Sequence, residues 1–249
     1  MQSEEHNELA ELAGSFIHEI KNHLGTLGLN LQLLAEDFQN AETQREKRAL
    51  QRAHRLQQEC EHLVDLSNDF LRFARLNDLT KTPCDLSVLI EELVDFFLPT
   101  AKQTQIEITT HLPTGLPAVA LDPELFKQCL LNLFLNAQQA MPDGGEITIQ
   151  TVIDRSGDRE RIALNVIDTG EGIKPGTLAK IFKPFYSTRK QGTGLGLATT
   201  RRIIEAHEGS IEAQSEPGQG TRFVIHLPTL TARSEREEDR VASVGKCER

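Results

Sequence analysis

No stretch of the chain approaches the ~18 consecutive apolar residues that a membrane-crossing helix needs. The N-terminus, Met1-Gln2-Ser3-Glu4-Glu5, lacks the basic-then-apolar order of a secretory leader. Positive charge is in deficit: 27 Lys and Arg stand against 37 Asp and Glu, a net charge of −10. That balance argues against a general nucleic-acid binder, which presents a basic surface. The four cysteines, Cys60, Cys84, Cys129 and Cys247, form no CxxC pair, which argues against a zinc site. They suit a reducing cytoplasm, with Cys60 and Cys129 read as small core residues. What remains is ordinary for a soluble globular protein: 38% apolar and 26% charged residues over 249 positions, enough for one large domain or two small ones.

The chain changes character near residue 80. Before it, Leu9, Leu12, Phe16, Ile20, Leu24, Leu27, Leu31, Leu34 and Phe38 recur in steps of 3, 4, 4, 4, 3, 4, 3 and 4. This is a helical stripe, and the extra steps of four around His18 read as a stutter in a heptad pattern. A second stripe, Ala49, Ala53, Leu56, Cys60, Leu63, Ser67, Phe70 and Ala74, alternates 4 and 3 throughout. Two antiparallel helices with one narrow stripe each bury too little surface alone, and a second copy completing a four-helix bundle supplies the rest. The turn between them, Gln39 to Thr43, holds neither Gly nor Pro. Leu76 to Asp85 reads as a linker. Beyond it, strand patterns at Ile106–His111, Glu146–Ile153, Ile162–Asp168, Ser210–Ser215 and Thr221–Leu227 mix with helical ones at Leu86–Leu98, Pro123–Ala140 and Gly194–His207. That mixture predicts a two-layer α/β sandwich with mainly antiparallel strands. Residues 231–249 are charged and poor in apolar side chains, the composition of a disordered tail.

Several polar residues stand out against this frame. His18 sits about 200° around a helix from Phe16 and from Ile20, which makes it solvent-facing. Glu19 beside it can take a proton from the imidazole and sharpen the remaining ring nitrogen as a nucleophile. Lys21 and Asn22 share its face, and Asn22 can orient a water for the reverse, hydrolytic chemistry. Asn132 and Asn136 lie one turn apart in an otherwise apolar helix, so their amides must find partners. Either they bond to backbone or they offer oxygen to Mg²⁺. Asp168 ends a strand and leads into Thr169-Gly170-Glu171-Gly172. Its carboxylate suits an exocyclic amine, and the glycines let backbone approach a ligand. An aspartic protease would need a second Asp-[Ser/Thr]-Gly, which is missing. Gly192-Thr193-Gly194-Leu195-Gly196 opens a helix and suits phosphate oxygens. It is neither a dinucleotide turn, since Ser187 to Gln191 before it is polar, nor the GxxxxGK[ST] loop. Residues 174–191 between the glycine clusters read as a lid, with Lys183, Arg189 and Lys190 available to phosphates.

In order, these motifs resemble those of bacterial two-component sensor histidine kinases, nearest the nitrogen-regulator branch. Ile17 to Asn22 resembles the H box, Asn132 to Asn136 the N box, and Asp168 to Gly172 the first glycine box. Phe182-Lys183-Pro184-Phe185 resembles the F box and Gly192 to Gly196 the second glycine box. The resemblance covers residues 10–228. It implies an α+β fold: a dimerising helical hairpin over residues 1–80, forming a four-helix bundle in the homodimer, then an ATP-binding sandwich of Bergerat type (histidine kinase/gyrase B/Hsp90-like) over residues 81–230. It also implies ATP and Mg²⁺ as cofactors, and transfer of the γ-phosphoryl group to His18 and on to an aspartate of a response-regulator receiver domain. Carried over by motif, Glu19 is the base, Asn22 the phosphatase residue, and Asn136 the Mg²⁺ ligand with Asn132 nearby. Asp168 is the adenine contact, while Gly170, Gly172, Gly192, Thr193, Gly194, Leu195 and Gly196 shape the nucleotide loops.

Two departures stand out. The family commonly places Pro after the H-box Asn, where this chain has His23, a rival acceptor; Gly25, Gly28 and the stutter can supply the softness a proline kink gives. No sensor domain is recognisable, which leaves three readings: input from a separate sensory protein, a chain that is a fragment, or a kinase unregulated by ligand. Two other readings compete: a Bergerat-fold ATPase, which needs neither His18 nor the hairpin, and a non-catalytic dimeric scaffold for a response regulator, against which intact Asn136, Asp168 and glycine boxes argue.

Overall fold

The structure, a computed structural model, describes residues 2–40, 42–74, 79–155, 159–189 and 192–230, and for residues 2–16, 18, 19 and 72–74 the backbone alone. The chain divides into two compact units, Met1–Arg75 with Pro184–Leu195, and Leu76–Lys183 with Gly196–Arg249. The tail assigned to residues 231–249, Lys190 and part of the Leu76–Asp85 linker fall outside the described residues.

In the first unit, helices α1 (Gln2–Asp37) and α2 (Gln44–Ala74) form an antiparallel hairpin. The buried and half-buried side of α1 runs Ile17, Ile20, Lys21, Leu24, Gly28, Leu31 and Ala35. The Ile20–Leu24 step of four from the expected stutter is retained; the Phe16 side chain, which would complete it, lies outside the described residues. The sequence stripe had merged two neighbouring faces. Leu31 belongs to the seam, whereas Leu27 and Leu34 remain 53% and 43% exposed. On α2, Ala53 and Cys60 are buried, while Leu56 and Leu63 stay exposed. Lys21, expected on the His18 face, stands in the seam, where its Nζ donates to Asn68 Oδ1 at 2.7 Å. The glycine-free turn closes through a capping box. Thr43 Oγ1 accepts from Glu46 N at 3.2 Å, and Glu46 Oε2 accepts from Thr43 N at 3.0 Å and Glu42 N at 2.9 Å. Those bonds hold the Glu46 carboxyl below its ordinary value, the Thr43 backbone donor first.

The second unit contains β1 (Thr82–Cys84), α3 (Leu86–Gln103), β2 (Ile106–His111), β3 (Val119–Leu121), α4 (Pro123–Ala140), β4 (Gly145–Asp154), β5 (Arg161–Asp168), α5 (Pro175–Leu178), α6 (Gly196–Ala206), β6 (Ser210–Ser215) and β7 (Thr221–Pro228). The main sheet has the order β2-β4-β5-β7-β6. Its β2–β4 pair is parallel and the other three pairs are antiparallel. Strand alternation sends Ile147, Ile149, Ile162, Leu164, Val166, Phe223, Ile225 and Leu227 into one core with α3, α4 and α6. The result is the two-layer sandwich the pattern predicts. Phe97 of α3 and Phe134 of α4 meet there at 5.5 Å between ring centroids.

Two local expectations fail for visible reasons. The linker reading stops short of Thr82, because Thr82–Cys84 pairs with Val119–Leu121. Helix α3 runs through Pro99 to Gln103 instead of ending at Leu98. Pro99 and Asp95, whose carbonyl loses its partner, are both exposed. Water can serve that carbonyl, and continuation buries Ala101 completely.

His207, 2% exposed, ties this unit together at its entry. Its Nδ1 lies 2.7 Å from the Ile203 carbonyl, which can only accept, so Nδ1 carries the proton. Nε2 then accepts from Asp122 N at 2.9 Å. Asp122 also caps α4 by accepting from Leu125 N, and its Oδ2 accepts from Thr80 N. Burial, aided by the nearby Lys81 charge, pushes the His207 pKa below its ordinary 6.5, against the Ile203 bond and the Asp122 charge. The unfolded chain therefore binds the extra proton more readily. The contribution of neutral His207 is complete above pH 6.5 and is lost as pH falls from there toward the lower folded value. Denaturation midpoints measured down a pH series should show this loss, and His207→Gln should remove the part of the slope that starts near 6.5.

Candidate nucleotide-binding site

The chemistry-bearing residues of the second unit gather at one end of the sheet and along α4. Asp122 and Pro123 start α4, and its apolar face, Phe126, Leu130, Leu133 and Phe134, is anchored in the core. That anchoring fixes the helix and aims the two asparagines. Asn132 Nδ2 donates to Thr200 Oγ1 of α6 at 2.9 Å. Asn136 Nδ2 donates to the Asn132 carbonyl at 2.8 Å and lies 3.5 Å from Asn132 Oδ1. The amide nitrogens of both residues thus bond within the protein, one to the Thr200 side chain and one to backbone.

Gly196, the first residue of α6, lies hard against this pair. A Cβ there would stand 2.6 Å from Asn132 Oδ1. The second glycine box therefore ends in contact with the N box because only hydrogen fits. The helix starts two residues later than the expected Gly194.

Asp168, 4% exposed, closes β5. Its Oδ1 accepts from Gly170 N at 2.9 Å and Thr221 N at 3.1 Å; Oδ2 takes neither bond. Burial raises the Asp168 pKa, and the two backbone donors pull it back. Held by two N–H groups through one oxygen, the carboxylate keeps the second for a donor from a ligand. Gly170 packs on Ala140, with a Cβ position 2.8 Å from the Ala140 carbonyl oxygen. Gly172 has φ +68, and a Cβ there would fall on the Glu216 carbonyl oxygen. The first glycine box is therefore clamped between the end of α4 and the β6–β7 turn.

Of the other expected residues, Lys183 is exposed in this unit, after a turn in which Phe182 packs edge-on to Phe223 and lies under the Arg201 guanidinium, 5.5 Å away. Gly192, Thr193, Gly194, Leu195 and the exposed Arg189 belong to the first unit. There Gly194 has φ +67, and its Cβ position is 2.6 Å from the Phe185 carbonyl carbon. Phe185 is itself left-handed, at φ 61. The backbones of His18 and Glu19 lie within α1; their side chains are outside the described residues. Asn22 is exposed. Thr200 and Thr221, which orient Asn132 and Asp168, were not singled out in the sequence; threonines carry no signal there beyond their position.

Among the described residues no three His, Cys, Asp or Glu side chains form a metal cage. Mg²⁺ fits this setting nonetheless: it takes one or two protein oxygens and completes its shell with waters and substrate phosphates. An asparagine amide oxygen is a ligand type that it accepts.

Fold and motifs together define an ATPase of the class shared by histidine kinases, DNA gyrase B and HSP90, and the model of that family matches residues 121–231. The sensor histidine kinase ZraS of Klebsiella oxytoca is 34% identical over 220 residues, 88% of this chain and 46% of that protein. The catalytic domain of the histidine kinase ThkA is 30% identical with a TM-score of 0.53, covering 61% of this chain and 96% of that one. Full-length ShkA, solved in complex with AMPPNP, is 30% identical with a TM-score of 0.67, covering 88% of this chain and 46% of that one. The chain belongs to the sensor histidine kinase family. It spans about half the length of the curated relatives it matches. Among the described residues, no helix is long and apolar enough to cross a membrane.

The clamp on Gly172 makes a sharp forecast. Gly172→Ala meets both a left-handed backbone and a carbonyl oxygen, and should cost more than ~1 kcal/mol in chemical denaturation. Gly176→Ala, with nothing within 4 Å of its Cβ position, should leave the midpoint unchanged.

Proposed function

We propose that this chain is the catalytic core of an ATP-dependent protein-histidine kinase that phosphorylates His18 and passes the group to an aspartate of a response regulator. The observation that carries this is the arrangement around Asp168 and Asn136. A buried carboxylate stands with one oxygen bonded to backbone, and an asparagine pair is braced by Thr200 and Gly196. That arrangement suits an adenine amine at one end and a metal-bound polyphosphate at the other. In this reading residues 1–80 are the dimerising phosphotransfer domain and residues 81–230 the ATP-binding domain.

An imidazole nitrogen of His18 attacks the γ-phosphorus, the bond to the bridging oxygen breaks, and ADP leaves. Glu19 accepts the proton from the other ring nitrogen. Asn136, with Asn132 beside it, would hold Mg²⁺, which would supply neutralisation of the charge on the phosphates. Gly170, Gly172, Gly192, Thr193, Gly194, Leu195 and Gly196 shape the nucleotide loops, while Lys183 and Arg189 meet phosphate charge. Asn22 orients water for the phosphatase direction.

The hairpin supports a homodimer. Leu27 and Leu34 on α1, and Leu56 and Leu63 on α2, each recur at seven residues and each stay more than 40% exposed. A second hairpin covering both pairs gives a four-helix bundle. A cytoplasmic setting agrees with Cys60, Cys84 and Cys129 standing free.

Incubation with γ-labelled ATP and Mg²⁺ tests the reading. Wild type should acquire acid-labile, base-stable label and His18→Gln none; equal label on both excludes His18 as acceptor and turns attention to His23. Asp168→Asn should melt within a few degrees of wild type yet bind ATP about ten- to a hundredfold more weakly, the worth of a hydrogen bond to a charged group. Leu27→Asp with Leu56→Asp should halve the mass measured by sedimentation equilibrium.

A further inference from the structure

The first unit contains a polar contact that the catalytic reading above does not use. Thr193 Oγ1, in the middle of the second glycine box, donates to Asp69 Oδ2 of α2 at 2.7 Å. The same hydroxyl accepts from Leu195 N at 3.4 Å, so Asp69 grips the residue that braces the loop from inside. Two further contacts hold the described residues beside this point. Gly194 seats on the Phe185–Tyr186 backbone, and Gly192 N donates to the Arg189 carbonyl at 3.3 Å. Holding Thr193 therefore holds residues 192–195.

The height of this contact on the hairpin is set by Lys21, whose Nζ bonds Asn68 at 2.7 Å. In an antiparallel pair, Asp69 is then level with the turn that runs from Lys21 back toward His18. The His18 backbone lies three residues along α1 from Lys21, about 4.5 Å of rise. The loop expected to hold phosphate is thus fastened to α2 at the level of the expected acceptor.

We propose that Asp69 is a positioning residue for autophosphorylation: through Thr193 it docks the phosphate loop onto α2 beside the turn that carries His18. This rests on the kinase reading above. In this role Asp69 acts through Thr193. Its effect lies in the fraction of bound ATP presented in reach, and hence in the rate at saturating ATP and not in ATP affinity.

Autophosphorylation of the whole chain at saturating Mg·ATP, together with equilibrium binding of a fluorescent ATP analogue, tests this. Asp69→Ala should slow labelling about tenfold, in line with loss of a charge-assisted hydrogen bond, while the nucleotide Kd changes by less than about twofold. Asp69→Asn, which keeps an acceptor oxygen in place, should recover most of the rate. Asp69→Ala should slow no further when combined with Thr193→Ala than the slower single variant. An unchanged rate in Asp69→Ala, a parallel loss of affinity, or additive losses in the double variant overturns the docking role. No label on the wild type overturns the kinase reading and this proposal with it. Label on the wild type with an unaffected Asp69→Ala overturns the docking role alone.

Discussion

The site depends first on one buried carboxylate. Asp168 ends the central strand of the sheet, and its Oδ1 gathers two backbone donors, one from the next turn and one from β7 across the sheet. An ionised group at 4% exposure is stable only if such donors replace water. The demand fixes the path of Thr169 to Gly172, and the glycines then pass where side chains cannot, under Ala140 and against Glu216. Carboxylate, turn and glycine box are one solution to one desolvation problem.

The same logic separates what the sequence disclosed from what it concealed. Period-two alternation marked all five strands of the main sheet to within a residue, because each buries one face. Asp122-Pro123 marked the start of α4 through capping chemistry that acts within four residues. What escaped was non-local or too short to be periodic. β1 and β3 have three residues each and exist only because they pair. The partners that orient the site, Thr200 for Asn132 and Thr221 for Asp168, lie 68 and 53 residues away. The turn at Thr43 is local, but its signal is the Thr43-x-x-Glu46 spacing of a capping box and neither Gly nor Pro.

The hairpin shows how a correct motif can yield a wrong geometry. Leucines at 24, 27, 31 and 34 look like one stripe, yet Leu31 packs inside the hairpin while Leu27 and Leu34 face outward. One helix carries two adjacent apolar faces, and Lys21, Gly28 and Ala35 complete the inner one. Small and polar residues in that seam let the helices approach closely, and the bulky leucines are kept for the outer surface.

The order of the main sheet has a consequence for how copies of the chain meet. β2 and β6 are its two edges, and an open edge invites a strand from another molecule. Each is six residues long, and each exposes a glutamate, Glu107 on β2 and Glu212 on β6. Lining up two such edges would set carboxylates against one another. The sandwich is thereby guarded against sheet-to-sheet growth. In the proposed homodimer, self-association falls to the outer leucines of the hairpin, and a pairing surface confined to two helices would join copies without tying up the sandwich.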